Sequence, residues 1–136
     1  DQREFLAHSA IEATQKINVA GIITDSETGL TARILASFRG SNPVLAICYK
    51  EKTQRWLNLS YGVIPVHQKE KGLVSAQYVF YAALRMLRQK GYISLDDKIA
   101  YLSGSFGEGG GTTFLEINNV KDVFDKKYKF HLPNFE

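Results

Sequence analysis

Cysteine, clustered charge and long apolar runs are scarce in this sequence, and each scarcity excludes a class of protein. Its 136 residues include one cysteine, Cys48, so no internal disulfide can form and a reducing cytoplasm is the expected compartment. No apolar run approaches the ~18 residues of a membrane span, and residues 1–4 are polar, unlike a signal peptide. The length suits a single globular domain.

A strong excess of charge of one sign is also absent. Seventeen basic residues oppose 14 acidic ones, the formal net charge is +3, and the densest basic cluster lies in residues 126–129. Because nucleic-acid-binding proteins usually present a stronger basic patch, we expect no nucleic-acid partner.

Residues arranged for catalysis or for metal binding are lacking as well. His8, His67 and His131 lie far apart and have no metal-ligand spacing. No pair of carboxylates and no Ser-His-Asp set is placed for catalysis. Cys48 falls within a predicted buried strand, which favours an inert thiol over a nucleophile. These absences favour a binding or regulatory domain without catalytic residues.

Helical and strand patterns alternate along the chain. Helices are predicted over residues 3–17, from residue 30 onward, over 51–60 and over 74–90. Strands are predicted over residues 19–23, 44–48, 63–66, 98–103 and 113–120, with a polar turn over 24–29. In the second helix the residues expected to face inward are Leu30, Ile34, Leu35 and Phe38.

Three of these strands are short, continuously apolar and separated by helices, which is typical of a parallel sheet covered on both faces. A loop alone joins the last two strands, so the fifth strand is expected to be antiparallel at an edge. The pattern predicts a three-layer α/β/α domain over residues 1–120, with an extension over 121–136. Its open sheet has about five strands, four of them parallel, in the order 3-2-1-4-5.

The loop after the first strand combines hydroxyl groups with a glycine at the start of a helix. The N-terminus of a helix offers N–H groups and about half a positive charge, which suits a phosphate. Ser and Thr are also ordinary helix caps, so the pattern fits either capping or anion binding. The candidate phosphate-binding residues are Ser26, Glu27, Thr28, Gly29 and Thr31.

The loop after the fourth strand contains five glycines within residues 104–112. It is not a Walker loop, since no Lys-Ser/Thr follows, and not a dinucleotide fingerprint, since a strand follows. A phosphate cradle and a flexible hairpin connection both fit. Because strands one and four are neighbours at the switch point of the predicted sheet, both loops are expected to meet there. The candidate residues of this second loop are Gly104, Ser105, Gly107, Gly109, Gly110, Gly111 and Thr112.

Several separated motifs together resemble the C-terminal regulatory domain of pyruvate kinase. The resemblance covers about residues 3–118. The motifs that carry it are Gly21-Ile22-Ile23, Glu27-Thr28-Gly29-Leu30-Thr31-Ala32-Arg33, Asn42-Pro43-Val44-Leu45-Ala46, Thr53-x-Arg55, Tyr61-Gly62-Val63-Ile64-Pro65-Val66, Ser103-Gly104 and Gly111-Thr112-Thr113.

The resemblance implies a homotetrameric enzyme of glycolysis that transfers phosphate between phosphoenolpyruvate and ADP. It implies that the catalytic site, with magnesium and potassium, lies in a barrel domain that precedes Asp1, so no cofactor is expected in this chain. In this family the phosphate of a small effector sits in the first loop, and the glycine-rich loop closes over it. Ser26, Thr28 and Thr31 would therefore bind the phosphate, and residues 104–112 would form the lid.

Two features depart from the family. Animal members that respond to fructose bisphosphate carry Lys at the position of Glu27. A carboxylate near a phosphate repels it, which favours either a monophosphate effector or no effector. The extension over 121–136 has no counterpart in most relatives. Its aromatic residues are expected to pack on this domain or on a neighbour; they are Phe124, Tyr128, Phe130 and Phe135.

Three hypotheses follow. The chain is the effector-binding and oligomer-contact domain of a pyruvate kinase, a stand-alone phosphate-ligand-binding module of the same fold, or a small α/β enzyme acting on a phosphate ester. Because residue 1 is Asp rather than Met, we expect the first.

Overall fold

The computed structural model describes residues 1–26, 29–38, 42–60, 62–67, 76–103 and 114–125. The helices are α1 (Gln2–Lys16), α2 (Leu30–Phe38), α3 (Glu51–Leu57), α4 (Ala76–Gln89) and α5 (Val120–Asp125). The strands are β1 (Gly21–Ser26), β2 (Val44–Cys48), β3 (Val63–His67), β4 (Lys98–Ser103) and β5 (Phe114–Asn119). Among the described helices, none is long and apolar enough to cross a membrane.

The five strands hydrogen-bond in the order β3-β2-β1-β4-β5. Strand β1 pairs in parallel with β2 and with β4, β2 pairs in parallel with β3, and β4 pairs antiparallel with β5. The predicted α/β class, strand order and antiparallel edge strand are therefore confirmed. The winding changes direction between β1 and β4, which makes their carboxyl ends the switch point of the sheet.

Each face of the sheet carries its own buried core. On the first face, Ile22 of β1 packs with residues of α1 and α2 such as Ala10 and Leu35. On the second face, Ile23 packs with residues of α4 such as Leu84. Successive side chains of a strand point to opposite faces, so these neighbouring isoleucines assign every other residue of β1 to its face.

Strand β1 extends beyond its predicted end. The sequence pattern ended the strand at Ile23 and placed a polar turn after it, whereas β1 continues to Ser26. Its last three residues pair with residues 46–48 of β2. The fully buried Thr24 hydroxyl donates to the Leu102 carbonyl of β4 over 2.7 Å. Polar side chains fit inside this strand because the neighbouring strand supplies their hydrogen-bond partners.

Helix α2 buries a different face from the predicted one. Ala32 and Leu35 are fully buried, but Leu30 and Phe38 are 44% and 47% exposed, so the prediction that both face inward was wrong. The small side chain of Ala32 allows α2 to approach the sheet and α1 closely. The Phe38 ring instead lies at the surface against the imidazole of His8, with ring centroids 4.2 Å apart.

Two other elements end or begin differently from the prediction. Helix α3 stops at Leu57 rather than Ser60, because a tight turn follows in which the Ser60 N–H donates to the Leu57 carbonyl. At the other end of the chain, β5 ends at Asn119 and α5 begins at Val120. The prediction that Gly91 ends α4 is confirmed, since this glycine follows the helix with a left-handed φ of 84°.

Candidate functional site

The candidate site lies where β1 and β4 end and α2 begins. Ser26 is the last residue of β1, while Gly29 and Thr31 stand at the start of α2. These three predicted residues are thereby placed at the switch point of the sheet. Glu27, Thr28 and the whole second loop, residues 104–112, lie outside the described residues.

Gly29 caps the N-terminus of α2. Its carbonyl accepts the first helical hydrogen bond, from the Arg33 N–H over 3.0 Å, and its φ is 86°. Glycine adopts this left-handed conformation without the steric cost that a Cβ imposes. Thr31, which is 9% exposed, belongs to the first helical turn. An anion beyond this end of α2 would meet the positive end of the helix dipole.

The aromatic ring of Trp56, in α3, packs against the start of α2. A Cβ placed on Gly29 would lie 2.7 Å from Cζ3 and 2.8 Å from Cε3 of Trp56, so the indole packs directly on the glycine backbone. The Arg33 guanidinium lies over the same indole, with Cζ 4.5 Å from the ring centroid. The first turn of α2 is thus fixed from outside by α3, a contact that sequence reasoning missed.

A carboxylate stands at the end of β1 and is oriented by two hydroxyls of β4. Asp25 Oδ1 accepts from the Ser103 hydroxyl over 2.5 Å, and Oδ2 accepts from the Tyr101 hydroxyl over 3.2 Å. Ser103 and Tyr101 are only 3% and 2% exposed. Burial, and after it the negative charge of Asp25, raises the pKa of Tyr101, so its hydroxyl remains a proton donor.

Sequence reasoning assigned Asp25 to a turn and gave Tyr101 no role. One signal was available: Tyr101 and Ser103 are two apart in β4, so both side chains point to the same face of the sheet. Their partner on β1 was not visible, because pairing across strands depends on the register.

Neither metal binding nor thiol chemistry finds support in the described part of the chain. Within the ranges that the structure describes, no group of three or more His, Cys, Asp or Glu residues could hold a metal ion. Cys48 is fully buried, and burial raises its pKa to about 11, which suits the inert thiol that the sequence suggested.

The fold and this arrangement define an open α/β domain with a polar cluster at its switch point. The family model of the pyruvate kinase alpha/beta domain matches residues 4–118, which is most of the chain. The chain therefore belongs to this family, as the resemblance of its motifs implied.

Individual relatives agree. The chain is 34% identical over 123 residues to the pyruvate kinase of Borreliella burgdorferi, covering 89% of this chain and 26% of that protein. It is 31% identical over 115 residues to the pyruvate kinase of Eimeria tenella, covering 82% and 20%. Among solved structures, Cryptosporidium parvum pyruvate kinase in complex with ADP matches with a TM-score of 0.78 and 26% identity, covering 88% and 24%. The chain spans about a quarter of the length of these relatives.

Proposed function

We propose that this chain is the regulatory domain of a pyruvate kinase and that it binds a phosphorylated effector where β1 and β4 end. In this proposal the whole protein carries a preceding catalytic barrel, which would hold magnesium and potassium and transfer phosphate between phosphoenolpyruvate and ADP. The protein works in the cytoplasm as a homotetramer, and this chain by itself is non-catalytic.

One observation carries the effector site. Helix α2 starts at the switch point directly after the central strand β1, with Gly29 in a left-handed conformation and Thr31 in its first turn. Gly29 permits the left-handed backbone with which the helix starts, and the helix start directs a partial positive charge at a ligand beyond it. A phosphate is the ligand group that these features suit best.

The sequence adds further groups to this proposal. Ser26, at the end of β1, and Thr28 add hydroxyl groups to that of Thr31, and residues 104–112 add a glycine-rich loop after β4. Glu27 adds a negative charge beside the phosphate, and this charge favours a monophosphate over a bisphosphate.

A thermal-shift experiment on the 136-residue chain tests this function. Inorganic phosphate, glucose 6-phosphate, ribose 5-phosphate, fructose 1,6-bisphosphate and AMP would each be titrated while the unfolding temperature is followed. A ligand at a hundred times its Kd stabilises the native state by about 2.7 kcal/mol, which gives a measurable shift. If no phosphorylated compound shifts the unfolding temperature, the domain has no effector site of this kind.

A matched pair of variants locates the ligand. Thr31→Val removes one buried hydroxyl at the start of α2 and should weaken the shift. Thr14→Val removes an equally buried helical hydroxyl, which donates to the Ile11 carbonyl. It lies in α1, a helix that leads into the amino end of β1 rather than its carboxyl end. This control should bind as the wild type does, and equal effects of both variants would refute the assignment to α2.

A further inference from the structure

We propose that Arg3 supplies the positive charge of the effector site and binds the phosphate of the ligand beside the start of α2. The inference rests on the proposed function and adds a residue that the sequence motifs did not indicate. The ligand class is a phosphate ester, because the planar guanidinium of arginine can bind two phosphate oxygens at once.

The predicted effector site has no basic side chain of its own. Residues 26–31 and 104–112 include no Lys or Arg, whereas Glu27 and Glu108 are acidic. A phosphate ester carries a charge of about −1.5 to −2 at neutral pH, and both carboxylates repel it. The cation that favours phosphate binding must therefore come from another element of the fold.

Arg3 has a buried donor without a partner. Of the buried side-chain nitrogen and oxygen atoms in the described part of the chain, Arg3 Nε is the one that makes no hydrogen bond. The ion pairs among these described residues join Lys16 to Glu12 and Arg55 to Glu51, so none of them includes Arg3. Buried polar groups are almost always hydrogen-bonded, and an anionic ligand explains this exception.

Helix α1 places Arg3 at the end of its buried face. Arg3, Ala7 and Ala10 are spaced by four and three residues, which puts them on one face of the helix. Ala7 and Ala10 are fully buried and pack with Ile22 of β1. Long side chains of a helix lean towards its N-terminus, so the guanidinium extends from this face towards the start of α1.

The start of α1 lies at the carboxyl end of the sheet. The helix leads into the amino end of β1 through residues 17–20 and packs on β1 and β4, so it runs antiparallel to both strands. Its 15 residues span about 22 Å, and the 6 residues of β1 span about 20 Å. Because these lengths match, Arg3 lies near the carboxyl ends of the strands, on the face that also carries α2.

Helix α2 starts close to the level of Arg3. It connects the parallel strands β1 and β2, so it runs beside α1 in the same direction, and its last residue, Phe38, packs on His8. Arg3 lies five residues before His8, and Leu30 lies eight residues before Phe38, a difference of about 4.5 Å along the helix axes. Packed helices are about 8–10 Å apart, so a phosphate at the start of α2 is within reach of the guanidinium.

Isothermal titration calorimetry on the 136-residue chain tests the role of Arg3. The Kd of glucose 6-phosphate and of inorganic phosphate would be measured for the wild type, Arg3→Gln and Arg3→Lys. We expect Arg3→Gln to bind both compounds about 10- to 100-fold more weakly, since hydrogen bonds to a charged group are lost. Arg3→Lys keeps the charge but loses the planar fork, so its Kd values should lie between those of the wild type and of Arg3→Gln.

Arg88→Gln is the matched control. It removes the same charge from an exposed position in the last turn of α4, a helix that packs on the other face of the sheet. Both Kd values of this variant should stay within about twofold of the wild type. An equal loss of affinity in Arg88→Gln and Arg3→Gln would mean that only the net charge matters, and it would overturn the inference.

The unfolding temperature separates a binding role from a structural one. Because Arg3 Nε has no partner in the unliganded chain, Arg3→Gln should not lower the unfolding temperature without ligand. It should still abolish most of the shift that glucose 6-phosphate causes in the wild type. A variant that unfolds at a lower temperature but keeps the wild-type Kd would make Arg3 a structural residue, against the inference.

Nuclear magnetic resonance provides a test on the wild type alone. The Nε–H signal of Arg3 should move when inorganic phosphate is added, whereas the Nε–H signal of Arg88 should not. If phosphate binds while the Arg3 signal stays in place, the inference is wrong.

These outcomes are distinct from a failure of the proposed function. If glucose 6-phosphate binds the wild type and Arg3→Gln with the same Kd, Arg3 takes no part in binding and the effector site stands without it. If the wild type binds neither glucose 6-phosphate nor inorganic phosphate, this inference fails, and the full screen of phosphorylated compounds decides the proposed function.

Discussion

Gly29 and Trp56 are in direct contact: a Cβ on the glycine would lie 2.7 Å from Cζ3 of the indole. Because Gly29 also has a φ of 86°, Gly29→Ala combines two penalties. The left-handed backbone costs about 1–2 kcal/mol with a Cβ, and the overlap with the indole adds about 1–3 kcal/mol. We expect the free energy of unfolding to fall by about 2–5 kcal/mol in urea denaturation.

Two controls separate the penalties. Gly91 has nearly the same φ, 84°, but a Cβ there would have no atom within 4 Å, so Gly91→Ala should show only the backbone cost. In a Trp56→Ala background, the cost of Gly29→Ala should fall towards that backbone cost, with only a tight contact to Leu57 Cδ2 at 3.2 Å remaining. Equal costs of Gly29→Ala in both backgrounds would mean that the indole does not brace the helix start.

Because the thiol of Cys48 is buried, we expect the free energy of unfolding to fall at high pH. Burial raises its pKa to about 11, above the value of about 8.5 expected in the unfolded chain. The native state therefore keeps a proton that the unfolded state has lost. The thiol therefore leaves the free energy of unfolding unchanged below about pH 8.5. As the pH rises from there towards 11, the free energy of unfolding falls with a slope of up to about 1.4 kcal/mol per pH unit.

The measurement is the free energy of unfolding between pH 8 and pH 11 for the wild type and for Cys48→Ala. All other titrating groups are shared, so the difference between the two curves isolates the thiol. The wild-type curve should fall more steeply, and parallel curves would contradict the assignment. In the native protein at pH 8, a thiol reagent should label Cys48 only as fast as the chain opens.

Because the Phe124 ring of α5 contacts α4, we expect α5 to stabilise this domain, although the family match ends at residue 118. The ring meets Tyr81 of α4 edge-on at 5.3 Å, and the Arg88 guanidinium lies 5.6 Å from its centroid. Phe124→Ala should lower the free energy of unfolding by about 1–3 kcal/mol, since a partly buried ring loses these contacts. Phe5→Ala is the control, because that ring is 70% exposed and should cost less than about 0.5 kcal/mol. Similar costs for both variants would show that the Phe124 ring adds no stability.

Much of the architecture was predictable because it depends on local pattern. The apolar run from Val44 to Cys48 forms β2 with its predicted bounds, and Gly91 marks the end of α4 as expected. The predicted end of β1 was wrong because a polar residue inside this strand has a distant partner. Thr24 appeared to begin a turn, and its place inside β1 depends on the Leu102 carbonyl, 78 residues away in the sequence.

The local features of the candidate site were predictable from the sequence, whereas its contacts between strands were not. Hydroxyls and a glycine at a strand-to-helix junction are local features, so the sequence alone offers Gly29 and Thr31 as candidates. The carboxylate of Asp25 was missed, because its partner Tyr101 lies 76 residues away and meets it only when β1 and β4 are paired.

The sequence by itself determined the α/β class, the strand order and membership of the pyruvate kinase family, because periodicity and ordered motifs encode them. Only the tertiary structure decided which side chains surround the candidate site: the indole of Trp56 on Gly29, and the hydroxyls of Ser103 and Tyr101 on Asp25. Such contacts depend on the register and packing of separate elements, and neither is written in the local pattern of one segment.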